Sequence, residues 1–144
     1  METVKKTMKS NKAQGMTLIE LLVVLAILAM IAGLVGPAIL DQLDGAKHKT
    51  AGIQIKDLES GLEIYKLEVG RFPSSEEGLQ ALVSKPSNAK GWNGPYLKGK
   101  EVPQDPWGRD FVYKYPGANG GMEIISYGED GQPGGEGDSS DISN

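Results

Sequence analysis

Residues 14–31 read QGMTLIELLVVLAILAMI, and this stretch decides the fold. A polar, basic leader ends at Gly15, and an apolar run with a single carboxylate, Glu20, begins at Met16. Residues 21–40 carry no charged side chain. At 1.5 Å per residue they match the ~30 Å hydrocarbon core of a bilayer, so the sequence predicts a membrane-spanning helix.

The charges of the chain are distributed unevenly around this helix. Residues 1–15 have a net charge of +3, whereas the remaining residues have a net charge of −7. A basic segment before an apolar helix is expected to stay in the cytoplasm, which places the acidic part on the far side of the membrane. An acidic domain without a basic cluster argues against nucleic-acid binding. The chain has no cysteine, which excludes disulfides and thiolate metal sites.

Three segments are predicted: a leader over residues 1–15, a hydrophobic helix over 16–40 and a domain over 41–144. A secretory signal peptide is disfavoured because the apolar run is too long and no Ala-x-Ala site follows it. A plain signal anchor stays open. Pro37 predicts a kink or local melting, either as a tolerated membrane proline or as a point where a packed helix stretches.

Residues 41–69 are predicted to continue the helix as an amphipathic segment. Apolar side chains recur there at spacings of three and four, which is the pattern of a helix on a core. They are Ala51, Ile55, Leu58, Leu62, Tyr65 and Val69. Gly70 is expected to cap a single helix of about fifty residues, of which only the second half has a partner within the chain.

The rest of the domain predicts short elements. Ser74 and Glu77 form the pattern of a capping box that opens a short second helix. Residues 111–115 and 122–127 alternate and are separated by a Gly/Pro-rich turn, which predicts a hairpin. A third strand is expected around Tyr96. The fold class is therefore α+β, with one long N-terminal helix packed on a small antiparallel sheet.

Glu20 has two interpretations. It is either a boundary acid that reaches the membrane surface, or a carboxylate that needs a cation inside the membrane. If the chain were cut between Gly15 and Met16, the new amino group of one copy could pair with Glu20 of another. Such a pair in low dielectric would set the stagger between copies.

The acidic, glycine-rich C-terminal region is the second candidate site. Its oxygen donors suit a hard cation such as Ca²⁺, but a solvated acidic tail has the same composition. The carboxylates are Glu129, Asp130, Glu136, Asp138 and Asp141. His48 lies between two lysines and is interpreted as part of a solvated helix face. The sequence shows no catalytic set, so we expect a non-enzymatic protein.

The segment from Gly15 to Glu20, followed by the apolar helix, resembles the class III signal of type IV pilins and pseudopilins. This resemblance implies a type IV pilin-like fold. It also implies that a prepilin peptidase cleaves between Gly15 and Met16 and methylates Met16. Glu20 would then be the carboxylate that directs assembly.

Four later segments resemble the signature sequences of the major pseudopilin family of type II secretion systems. They are residues 72–82, 94–97, 105–108 and 126–131. The resemblance implies a subunit that polymerises into a periplasmic filament and helps drive folded exoproteins through the outer-membrane secretin. It would be a single-pass inner-membrane protein before assembly, with its C-terminal domain in the periplasm. Its implied partners are other copies, the prepilin peptidase, minor pseudopilins, and the inner-membrane platform with its ATPase.

The same resemblance implies one Ca²⁺ in the C-terminal loop. The implied ligands are the Tyr127 carbonyl, Asp130 and Asp141, with Asp138 or Glu136 as a further carboxylate. Two alternative functions are open on the sequence alone. One is a type IV pilus subunit for adhesion, motility or DNA uptake, and the other is a membrane-anchored periplasmic binding protein or hydrolase.

Overall fold

The computed structural model describes residues 15–144, so the predicted leader lies outside the described residues except for Gly15. The regular elements are α1 at Leu18–Val69, β1 at Val112–Lys114, β2 at Glu123–Ser126, β3 at Ile142–Ser143, and 3-10 helices at Leu79–Leu82 and Gly137–Ser139. A long N-terminal helix and a small antiparallel sheet confirm the predicted α+β class.

Helix α1 contains 52 residues and is capped at both ends. Thr17 precedes it, and its hydroxyl accepts a hydrogen bond from the Glu20 amide at 3.3 Å. At the other end the Gly70 amide donates to the Lys66 carbonyl at 2.8 Å, which confirms the predicted C-cap. The helix also continues through Pro37 without interruption. The predicted local melting at Pro37 is therefore not seen, and the predicted kink stays a prediction.

The chain divides into two compact units between Ile39 and Leu40. In the first unit, every described residue is exposed except Gly36, which is half-buried. α1 is long and apolar enough to cross a membrane, and none of its most apolar window is buried. This part of α1 therefore has an apolar surface with no partner among the described residues.

The second unit has its core on one face of α1. Five of the six predicted stripe residues, from Ala51 to Tyr65, are buried, and Val69 packs partly buried against the core. Tyr113 and Ile124 from the sheet, and Phe111 directly before β1, belong to the same cluster. The spacing of three and four thus identified the buried face of the helix.

The sheet has the order β1-β2-β3, and both pairs of strands are antiparallel. The predicted hairpin is confirmed, with Val112 opposite Ile125 and Lys114 opposite Glu123. The third strand was predicted in the wrong place. Tyr96 is not in a strand, because its amide donates to the Leu82 carbonyl at 2.7 Å and its ring packs against Tyr65.

The predicted second helix is only a single 3-10 turn at Leu79–Leu82. The capping box is present: the Glu77 amide donates to the Ser74 hydroxyl at 3.1 Å, and the Ser74 amide donates to the Glu77 carboxylate at 2.8 Å. Gly78 follows with φ of 59°, outside the helical region. This residue prevents the capped turn from continuing as an α-helix.

Candidate functional site

The predicted processing and assembly residues lie at the start of α1 and are exposed. Gly15 and Met16 precede the helix, and Met16 is 67% exposed. Glu20 occupies the first turn of α1, where a carboxylate is favoured by the helix dipole. Among the described residues, no basic side chain forms an ion pair with Glu20. The arrangement leaves this carboxylate available to a partner.

The C-terminal loop, residues 127–141, connects β2 to β3 and contains the predicted calcium ligands. Asp130 accepts a hydrogen bond from the Gln132 amide at 3.0 Å, and Asp141 accepts one from the Gly134 amide at 2.9 Å. Each of these bonds uses one carboxylate oxygen. Asp130 therefore stabilises a turn and Asp141 joins two ends of the loop, while a second oxygen on each is available for another contact.

The structure does not bring three predicted carboxylates together. Within residues 15–144, no group of three or more His, Cys, Asp or Glu side chains is arranged to hold a metal ion. Asp138 contributes its backbone instead, because its carbonyl accepts from the Glu129 amide at 3.2 Å. The donors fit Ca²⁺ in kind, since they are carboxylates and carbonyls on a glycine-rich loop. Their convergence on one ion would require the loop to adjust.

Among the described residues, His48 is a side chain that attaches the C-terminal loop to the rest of the domain. Its Nε2 lies 2.8 Å from the Asp138 carbonyl oxygen, and its ring meets the edge of Trp107 at a centroid distance of 5.2 Å. Because a carbonyl only accepts, Nε2 must carry the proton. The interpretation of His48 as a solvated helix residue was therefore wrong.

Arg109 is the second attachment. Its Nη1 donates to the Gly128 carbonyl and its Nη2 to the Glu129 carbonyl, both at 2.8 Å. Our sequence analysis did not single out this residue. The available signal was an arginine directly after the tight turn at residues 105–108, in a domain with an acidic loop.

Asp105 holds that turn in place. It is only 5% exposed, and its Oδ1 accepts from the amides of Trp107 and Arg109 at 3.0 and 2.9 Å. Its Oδ2 accepts from the Ser126 hydroxyl at 2.7 Å, at the end of β2. A buried carboxylate with three donors is satisfied, which identifies Asp105 as structural.

The strongest ion pair in the domain is also structural. Arg71 contacts both carboxylate oxygens of Glu77, at 2.6 and 2.8 Å. The hydrogen bond from Arg71, together with those from Ser74, lowers the pKa of Glu77 to about 2. Nearby, burial raises the pKa of Tyr113, whose hydroxyl donates to the Pro73 carbonyl at 2.8 Å. These contacts hold the segment that follows α1.

Two family models match the sequence. The model for type II secretion system protein G matches residues 38–144, and the model for the prokaryotic N-terminal methylation motif matches residues 10–36. Together they cover the domain, the apolar helix and the residues at the predicted processing site.

Relatives match over nearly the whole chain. The type II secretion system core protein G of Vibrio cholerae is 41% identical over 139 residues, which are 94% of each chain. That of Pseudomonas aeruginosa is 40% identical over 141 residues, which are 95% of this chain and 98% of the relative.

A solved structure supports the same relationship. The crystal structure of the major pseudopilin from the type 2 secretion system of enterohaemorrhagic Escherichia coli matches with a TM-score of 0.62 at 36% identity. The match covers 73% of this chain and 91% of that one. With these matches, the long helix, the small sheet and the methylation motif have one common explanation: the chain belongs to the protein G family of type II secretion systems.

Proposed function

We propose that this chain is the major pseudopilin of a type II secretion system, a structural subunit that polymerises through α1 into a pseudopilus. The main support is the distribution of apolar surface. All large apolar side chains that the described structure leaves exposed lie between Met16 and Leu67. A surface of this extent requires a cover, because soluble proteins rarely expose large apolar patches.

The apolar surface of α1 would be covered first by lipid and later by other subunits. Before assembly, lipid surrounds residues 16–40, with the basic leader in the cytoplasm and the domain in the periplasm. After assembly, helices of neighbouring copies replace the lipid. The family match favours this role over the alternative of a type IV pilus subunit, because the matching model and relatives are named for the secretion system.

Processing would convert the membrane protein into an assembly-competent subunit. A prepilin peptidase cleaves between Gly15 and Met16 and methylates the new terminus. The amino group of Met16 in one copy then pairs with Glu20 of a neighbour. In low dielectric such a pair is strong and strict in geometry, so it would fix the axial register of the filament.

The filament would act with other secretion components. Minor pseudopilins, the inner-membrane platform and its cytoplasmic ATPase would supply initiation and assembly energy. The growing filament would help drive folded exoproteins through the outer-membrane secretin. During this step Pro37 would let α1 stretch, because proline lacks the amide that a continuous helix uses at that position.

We also propose one Ca²⁺ in the C-terminal loop. Asp130 and Asp141 would hold it with the Tyr127 carbonyl and a further carboxylate, Asp138 or Glu136. When bound, the ion would supply a hard positive charge that fixes the loop to the domain. The donor chemistry supports this proposal.

Secretion and filament formation test the function together. In a strain without this gene, exoproteins should accumulate in the periplasm, and the wild-type chain should restore secretion. When it is overproduced with the other components, sheared cells should yield filaments that contain it. Normal secretion in the deletion strain, with loss of twitching or transformation instead, would favour a pilus.

Removal of Ca²⁺ with a chelator tests the proposed calcium site. The unfolding temperature of the full-length chain in detergent should be higher in calcium than in chelator, because a ligand that binds only the native state stabilises it. Equal unfolding temperatures would argue against a tight site.

A further inference from the structure

The positively charged side chain of Arg109 contacts the turn that carries Asp130. The guanidinium of Arg109 donates to the carbonyls of Gly128 and Glu129, the two residues before Asp130, at 2.8 Å each. Hydrogen bonds from a charged donor are stronger than neutral ones, and a planar fork that bonds two acceptors also fixes their orientation.

The turn is shaped to receive this side chain. Gly131, the residue after Asp130, has φ of 67°, and a Cβ placed there would lie 2.5 Å from Arg109 Nε and 2.8 Å from Cζ. Only glycine permits this close approach. The guanidinium therefore contacts the turn on both sides of Asp130, through two carbonyls before it and one glycine after it.

The backbone of Arg109 is also held in place by hydrogen bonds. Its amide donates to Asp105 at 2.9 Å, and its carbonyl accepts from the Asp105 amide at 2.8 Å. Asp105 also accepts from Ser126, the last residue of β2 and the second residue before Gly128. The backbone of Arg109, through Asp105, and its guanidinium are thus both connected to residues 126–129.

We propose that Arg109 is a positioning residue for the C-terminal loop. Its guanidinium orders the turn at residues 128–131 before any metal binds, and it thereby presents Asp130 to the ion. The first step stands on the contacts alone, and the second rests on the proposed calcium site. A positive charge near the site also repels Ca²⁺, so the sign of the effect on affinity decides whether ordering or repulsion dominates.

Hydrogen exchange of the full-length chain in detergent and chelator tests the ordering step. Arg109→Gln should speed exchange in residues 127–141 by about tenfold or more, because two charge-assisted bonds are lost. Arg109→Lys should fall between, since lysine keeps the charge but lacks the fork. Lys114→Gln, which removes the same charge from an exposed position on β1, is the matched control and should match wild type.

Calcium titration by calorimetry tests the second step. Arg109→Gln should bind Ca²⁺ about tenfold more weakly than wild type and Lys114→Gln, because binding must then order the turn. Unchanged loop exchange in Arg109→Gln would overturn the proposal, and equal or tighter calcium binding would overturn its second step. If wild type itself binds no calcium, the calcium site fails, while exchange in chelator still decides the ordering role.

Discussion

The two parts of α1 differ in what covers them. Between Leu18 and Ile39 nearly all residues are apolar and all except Gly36 are exposed, whereas between Ala51 and Tyr65 one face is buried under the sheet and the loops. The same secondary structure therefore serves two purposes. The second part contributes to the core of the domain, and the first part has an apolar surface that the described residues leave uncovered.

Glu20→Gln gives the sharpest test of this difference. The substitution should abolish filament assembly and secretion, because the amide cannot form the proposed ion pair with the Met16 amino group of a neighbouring copy. The domain should unfold at the wild-type temperature, since Glu20 makes no contact with the core. Filament yield and thermal unfolding in detergent measure the two effects. Assembly at the wild-type level would show that the two parts of α1 do not divide in this way.

Leu62→Ala and Leu28→Ala compare the same substitution in the two parts. Leu62 is fully buried, so its truncation should lower the free energy of unfolding by about 2–5 kcal/mol. Leu28 is 55% exposed, so its truncation should change that free energy by less than about 0.5 kcal/mol in detergent. Denaturant unfolding of both full-length variants measures this. Equal losses of unfolding free energy in the two variants would contradict the assignment of only the second part of α1 to the core.

Glu77→Gln tests the segment directly after α1. Loss of the charged contact with Arg71 should cost about 1–2 kcal/mol of unfolding free energy, while the Gln oxygen can still accept from the Ser74 amide. The contact also predicts a pH dependence. Hydrogen bonding from Arg71 lowers the pKa of Glu77 from 4.5 to about 2. Its stabilising effect is therefore complete above pH 4.5 and is lost as the pH falls towards 2. In Glu77→Gln this part of the acid sensitivity should disappear.

Local patterns in the sequence predicted α1, its buried face, the capping box and the hairpin. They succeeded because each depends on neighbours within a few residues, such as the spacing of three and four from Ala51 to Tyr65. The position of β3 depends on how the C-terminal loop returns to β2. The contact of His48 with Asp138 joins residues 90 positions apart, and no local pattern reports it. Arg109 was missed for the same reason.

The site residues at the N-terminus came from a motif, and the structure adds their exposure. Gly15, Met16 and Glu20 are accessible, as processing and pairing require. The proposed calcium ligands are a different case, because their positions depend on the loop. The structure shows the Asp130 and Asp141 carboxylates accepting hydrogen bonds within the loop, while the side chains of Arg109 and His48 contact its backbone.

We propose that the apolar half of α1 becomes an assembly surface once the leader is removed. Mass spectrometry of the N-terminus of the chain purified from secreting cells tests it directly. The account predicts a mature chain that begins at Met16 and carries a methyl group on its amino nitrogen. A chain that keeps residues 1–15, or one cut after the apolar run, would contradict it.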